Sequence, residues 1–281
     1  MAAKRRLAGN AKAPQPKRRA GKPSDPLYNL SVEKALAVLE VFGDKGRALN
    51  LGEIAAATAM TESSAQRCTH TLERLGYLRR DPQLKRWVLS PRSLSVANAY
   101  LTGHRLIEQA TTHLVDLNQV SGESVSLSEP DGTDMVYIAR FPGRKRFFIH
   151  MPVGHRLPMY CTAAGRAYLS ALPPAEAQQI LRRSVLRQLT PKTTIDPDRL
   201  QALVDAARKA GYAWADQEAY RGDLTIGAAI LGDDGRPIAA VNISGPTSRW
   251  TLEELRSKLS SVLLETARAA SSSSAARLGD P

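Results

Sequence analysis

The chain has 281 residues, 43% of them hydrophobic and 23% charged, and a net charge of +12. That length suggests about two domains, and the absence of any run of about 18 apolar residues excludes a transmembrane helix. Two distant cysteines, Cys68 and Cys161, exclude a disulfide framework, and five scattered histidines without a CxxC pair offer no metal-ligand spacing.

The charge is uneven. Residues 1–26 hold eight Lys/Arg against the single acid Asp25, leaving +5 for the rest of the chain. A basic tail rich in Pro and Ala cannot bury a core and is expected to be disordered. It either adds salt-sensitive attraction to DNA phosphates or acts only as a solubilising tail. No apolar region follows it, so it does not read as a secretory signal, and a reducing cytoplasm is the expected location.

Ser31–Phe42 forms an amphipathic pattern, with Ser31 as N-cap and Val32, Ala35, Leu36, Leu39 and Val41 or Phe42 on its apolar face. Gly43 and Gly46 are expected to end it, and Asn50 to cap the next helix. From Leu51 to Arg80 two short helical patterns flank a tight break. Ile54, Ala55 and Met60 are apolar in the first, and Ala65, Cys68, Leu72 and Leu75 mark one face of the second. Its opposite face carries Ser63, Ser64, Gln66, Arg67, His70 and Arg74. Thr61 is its N-cap and Gly76 its C′ residue. Strands over Tyr77–Asp81 and Lys85–Ser90, turned at Asp81-Pro82, complete a winged helix-turn-helix. Short-turn helix pairs also occur in domains that bind no DNA. Thr61, Ser63, Ser64, Gln66 and Arg67 are the candidate groove contacts, and Lys85 and Arg86, at the wing tip, the candidate phosphate contacts.

Pro91 to about Val120 reads as one long helix with a bend at Gly103. Strands are expected over Glu123–Ser128, Met135–Arg140 and Phe147–Met151. Helices follow over Thr162–Leu172, Pro174–Arg183 and Pro197–Ala210. Leu224–Leu231 and Ile238–Ser244 are strands around the Asp234-Gly235 turn. A helix over Thr251–Ala270 starts on a Thr251/Glu254 capping box. Strands, helices, a hairpin and a last helix define an α+β domain with an antiparallel sheet. The expected organisation is a tail (1–26), a winged helix-turn-helix domain (27–90), a linker helix (91–120), a second domain (121–270) and a fraying tail (271–281).

Five segments in this order resemble the IclR family of bacterial transcriptional regulators: SVEKALAVLEVF, LGEIAAATAMTESSAQRCTHTLERLGYLRRD, VGHRLPMYCTAAGRAYLSALP, GYAWADQEAYRGDLTIGAAIL and AAVNISGP. The resemblance spans about Leu27 to Ala270. It implies a two-domain regulator that binds double-stranded operator DNA, with a GAF-like effector-binding domain, homodimers often paired into tetramers, and control by a small organic or aromatic acid. Neither enzymatic activity nor a cofactor is implied. The turn Ala59-Met60-Thr61-Glu62-Ser63 departs from the family's usual Gly-Leu-Pro-Lys-Ser. Ala59 suggests a different turn, and Glu62 would repel phosphate or accept from a cytosine amino group.

An effector pocket in such a domain is expected between sheet and helices, where three segments meet. Met159, Cys161, Thr162 and Ala163 stand at a helix start that favours a carboxylate. By resemblance Asp216 and Glu218 form an acidic turn near the pocket, followed by Leu224 and Ile226. Asn242 and Ser244 alternate onto one face of a strand. Asp216 and Glu218 could instead cap a turn or pair with Arg221, and Cys161 could be a small buried hydrophobe. Arg144-Lys145-Arg146 is either a solvated face or an acid-recognising run. Two other functions remain: a hydrolase using Cys161 with His150 or His155, which lacks an orienting third group, and a nucleoid-type binder acting through the tail.

Overall fold

The computed structural model describes residues 25–45, 48–144 and 151–275. The chain divides into two compact units between Gly103 and His104. The basic tail up to Ser24, Lys145, Arg146, His150 and most of the expected strand over 147–151 lie outside the described residues.

The first unit holds α1 (Leu30–Lys45), α2 (Leu51–Thr58), α3 (Glu62–Arg74), the hairpin β1 (Leu78–Asp81) and β2 (Arg86–Leu89), and α4 (Ser93–Thr102). Asn29, not Ser31, caps α1: its Oδ1 accepts from the backbone amides of Ser31 at 2.9 Å and Val32 at 3.3 Å. Gly43 does not stop the helix, which runs on to Lys45. Its buried stripe is Val38 and Phe42, whereas Val32 and Leu36 are each 54% exposed. Asn50 and Glu53 form a complete capping box on α2. Ala59 then takes the left-handed conformation at φ +53°, so the turn has the shape a glycine would give it. Gly76 sits at φ +79°, and the Tyr77 amide bonds back to the Leu72 carbonyl at 2.9 Å, closing α3 with a Schellman turn. The hairpin pairs Leu78 with Leu89 and Asp81 with Arg86. Asp81 Oδ1 holds the tip by accepting from the amides of Gln83 and Leu84. Val38, Phe42, Leu49, Ile54, Ala65, Leu72, Leu78 and Trp87 make the core, each large side chain contributing about 1.5–3 kcal/mol.

The long helix expected over 91–120 is two helices, α4 and α5 (Arg105–Ser121). His104 is extended at the break, and its Nε2 lies 2.9 Å from Glu129 on the strand that follows α5.

The second unit continues with β3 (Ser124–Asp131), β4 (Asp134–Phe141), β5 (Arg156–Pro158), a single 3-10 turn (Met159–Cys161), α6 (Ala163–Ala171), α7 (Pro174–Arg183), α8 (Pro197–Ala210), β6 (Ala213–Asp216), β7 (Asp223–Leu231), β8 (Pro237–Pro246) and α9 (Leu252–Ala275). The six strands form an antiparallel sheet in the order β5-β4-β3-β8-β7-β6. Helices α5 and α9 pack on one face and α6 on the other, with α8 against α6. The edge strand β6 falls where only an acidic turn was expected. The tail expected to fray from Ser271 is helical to Ala275. Ser271 Oγ donates to the Ala267 carbonyl at 2.8 Å and accepts from the Leu231 amide at 2.9 Å, which ties that turn to the sheet.

Two glycines allow close backbone approach at the start of α6, one from the sheet and one toward the 3-10 turn before the helix. A Cβ on Gly227 would fall 2.8 Å from the Ala163 carbonyl carbon, and one on Gly165 would fall 2.2 Å from Met159 Cα. Such backbone-to-backbone approach leaves room for hydrogen only. The start of α6 therefore lies directly over β7.

Candidate DNA-binding helix and effector pocket

In the first unit, Thr61 caps α3 by accepting from the Ser64 amide at 3.2 Å. Ala65, Thr69 and Leu72 face the core, and Ser63, Gln66, Arg67, His70, Thr71 and Arg74 are exposed. Two expectations need correction. Ser64 is buried, at 9% exposure, and Leu75 is 51% exposed. Ser64 sits one residue before Ala65, so at 100° per residue it falls on the margin of the buried stripe. Thr61, Ser63, Gln66 and Arg67 are where the sequence places them.

At the hairpin tip Lys85 is exposed and left-handed, at φ +49°. Arg86 is held differently: its Nη1 donates to the Ala48 carbonyl and to Glu53 Oε2, both at 2.9 Å. It ties the wing to the start of α2 and is not a free cation at the tip. Arg79 and Arg80 on β1 are exposed and were not among the sequence candidates. Arg80 stacks over the Trp87 ring at 5.0 Å. Two consecutive arginines on a short strand resemble any solvated segment, so sequence alone does not single them out.

In the second unit, a small cleft lies between the sheet, the start of α6 and the segment after β6. Cys161, Thr162, Ala163, Glu218 and Asn242 line it as expected, joined by Tyr137, Leu157, Ala164, Ala219, Asp223 and Thr225. Thr162 caps α6 by accepting from the Gly165 amide at 3.1 Å. Asn242 pairs with Gly227 across β7–β8 and with Ser126 across β3–β8. Asn242 is 2% exposed and Ser126 fully buried. Asn242 Oδ1 and Ser126 Oγ have no hydrogen-bond partner. Leaving such groups unsatisfied costs about 1–3 kcal/mol each, and of the two Asn242 lines the cleft.

Five expected contacts are elsewhere. Leu224 and Ile226 pair with Gly245 and Ile243 and point away from α6, because a strand turns alternate residues to opposite faces. Their neighbours Asp223 and Thr225 face the cleft instead. Met159 is buried in the core with Met135 and Leu169. Asp216 stands at the surface, paired with Lys192 at 2.7 Å. Burial works to raise its pKa, but hydrogen bonds from Lys192 and Gln217 bring it below the usual carboxylate value. Ser244 does not line the cleft, but its hydroxyl donates to Asp223 Oδ1 at 2.5 Å.

Glu218 touches the cleft while its carboxylate is engaged behind it. Arg166, 1% exposed, donates to both its oxygens at 2.6 and 2.7 Å. The Thr194 amide adds a third bond at 2.9 Å. Arg166 also donates to the carbonyls of Tyr160 and Trp214. This fork ties α6 to the segment after β6 and forms one wall of the cleft. Burial pushes the Cys161 thiol up to about 12, against the lowering field of Arg166, so it stays protonated at neutral pH. His155 is bonded to the Tyr220 hydroxyl at 2.8 Å. Among the described residues, no cluster of His, Cys, Asp or Glu is placed to hold a metal ion, and no helix is long and apolar enough to cross a membrane.

A winged helix-turn-helix with a polar exposed recognition helix, in one chain with an α+β unit that holds a small polar cleft, defines a DNA-binding regulator with a sensor domain. Comparison with known proteins narrows this. The IclR helix-turn-helix domain matches residues 31–82, and the C-terminal domain of bacterial transcriptional regulator IclR matches residues 98–272. The chain belongs to the IclR family and is a DNA-binding transcriptional regulator with an effector-binding domain. It is 32% identical over 245 residues to the Pca regulon regulatory protein of Pseudomonas putida, covering 87% of this chain and 84% of that one. Among solved structures, a transcriptional regulator from Rhodococcus sp. RHA1 is 36% identical with a TM-score of 0.74, covering 88% of this chain and 99% of that one. An IclR homologue from Microbacterium hydrocarbonoxydans, complexed with 4-hydroxybenzoate, shares the fold at 23% identity and a TM-score of 0.71, over 88% of this chain and 99% of that one.

Proposed function

We propose that this regulator is a cytoplasmic, non-enzymatic homodimer or dimer of dimers that reads a near-palindromic operator and is modulated by a small organic or aromatic acid. Each α3 enters a major groove, with Gln66 and Arg67 at base edges and Thr61 and Ser63 near phosphates. Lys85 contacts the backbone beside it. The acid sits in the cleft of the second unit with its carboxylate toward the start of α6, where the helix dipole favours negative charge. The unpartnered, buried Asn242 Oδ1 at the cleft wall carries this reading. The 4-hydroxybenzoate bound by the Microbacterium homologue is an acid of this class, and the protonated Cys161 thiol supports a binding rather than a hydrolytic role. Effector binding changes operator affinity only to the extent that it favours one arrangement of the chain over another.

The test is a fluorescence titration of the full chain against the DNA upstream of its own operon at physiological salt. Arg67→Ala is expected to lose about 1–3 kcal/mol of operator preference while binding random DNA nearly as before. Unchanged specific binding by that variant would remove α3 as the reading element. A chain without residues 1–26 is expected to keep the preference. Loss of all preference in it would favour a charge-driven, nucleoid-type binder.

A further inference from the structure

The wall of the cleft formed by β8 and β7 is polar, and the sheet behind it continues into β3. Ser126, Asn242 and Asp223 are 0%, 2% and 5% exposed. Pairing of Ser126 with Asn242 and of Asn242 with Gly227 sets these residues on the α6 side of the sheet. Their hydrogen-bonding capacity is biased. The Ser244 hydroxyl already donates to Asp223 Oδ1, and the carbonyl oxygen of Asn242, which lines the cleft, has no donor. A ligand carboxylate turned toward Asp223 and Asn242 Oδ1 would set acceptor against acceptor. A ligand that donates there satisfies the wall and restores what burial removed.

We propose that Asp223 is a specificity-determining residue of this pocket, and that with Asn242 it selects organic acids carrying a hydroxyl or amino donor on the end opposite the carboxylate. This rests on the cleft being the effector site, and it names the chemistry that the site accepts. The carboxylate end lies at Thr162, Ala163 and Ala164, which line the same cleft. The donor end meets the sheet wall. Burial pushes the Asp223 carboxyl up to about 7, with Ser244 and the charge of Arg140 on β4 acting to lower it. A ligand donor adds to those two and draws the group into its ionised, accepting form. A site that hydrogen-bonds a donor rejects the isostere lacking it far more strongly than an apolar site distinguishes a methyl group.

The test uses the full chain and two probes of equal shape, 4-hydroxybenzoate and 4-methylbenzoate, by calorimetric titration at pH 7.5. The wild type is expected to bind the hydroxylated probe at least about tenfold more tightly. Asp223→Val, and the closely sized Asp223→Leu in case the valine variant misfolds, are expected to cut that preference to about threefold or less. Equal binding of both probes by the wild type, or a full preference kept by both variants, overturns the proposal. Equal binding that is lost in Asn242→Leu overturns it while leaving the cleft as the effector site. Equal binding that survives Asn242→Leu, or no binding of either probe at millimolar concentration, removes the cleft reading and the proposal with it.

Discussion

Asp223 holds its carboxyl at about 7 inside the fold, against an ordinary value of 3.8, chiefly through burial. Between those two values the folded chain binds a proton that the unfolded chain releases. The favourable contribution is therefore complete below about 3.8 and is lost as pH rises through about 7, a change of roughly 4 kcal/mol. The groups around the carboxyl are Arg140 and Tyr137 on β4, Tyr220 beside His155, and the Ser244 hydroxyl. Asp223→Asn removes the titration and keeps the shape. In urea unfolding without ligand, the variant should gain on the wild type by a few kcal/mol between pH 5 and pH 8. A wild type that gains on the variant over that range would show that the carboxylate is stabilised in the fold. Ala59 is a second residue that works against its own chemistry, since an L-residue in the left-handed region costs about 1 kcal/mol or more. Ala59→Gly should slow hydrogen exchange of the α2 and α3 amides by up to about fivefold, and faster exchange would contradict the strain.

At the scale of elements, most helix ends written in local chemistry were legible, although α1 is capped by Asn29 and not by Ser31. Asn50 with Glu53, Thr61, Thr251 with Glu254 and Gly76 each mark a helix end through groups three or four residues apart, and the structure keeps each of these bonds. What depends on the tertiary environment was not. In β7 both faces are buried, so apolarity could not say which alternate set lines the cleft, and Leu224 and Ile226 were taken in place of Asp223 and Thr225. In α1 the apolar residues exceed one stripe, and only packing shows that Val38 and Phe42 are the core pair. The Arg166–Glu218 fork joins residues 52 apart and has no local signature. The approach of α6 to β7 is of the same kind, since Gly227 reads as a weak point in a strand until its neighbour is known. Gly227→Ala should push the start of α6 off the sheet, cost about 1–3 kcal/mol and reduce probe binding in the cleft. Retained stability and binding would mean that the Ala163–Ala164 backbone yields more easily than its contacts suggest.

At the scale of the whole molecule, the first unit exposes more apolar surface than a single copy needs. Leu27 is 91% exposed, Leu30 59%, and Val32 and Leu36 54% each; on α4, Leu94 is 69% and Val96 63% exposed. Val32 and Leu36 lie one helical turn apart and so share a face. An exposed apolar face such as that of Val32 and Leu36 is relieved by association. A symmetric dimer would cover this face and present two copies of α3 about one helical turn of DNA apart, as a near-palindromic site requires. Leu36→Glu tests this directly. Leu36 is more than half exposed, so the substitution should change the stability of an isolated chain by no more than about 0.5 kcal/mol. In a dimer it places a charge in an apolar contact. Sedimentation should then show a shift toward monomer, and operator affinity should fall by about a hundredfold or more as two linked half-site contacts become one. A variant that remains dimeric and binds the operator as the wild type does would place the subunit contact elsewhere and leave the apolar face of α1 without a role in assembly.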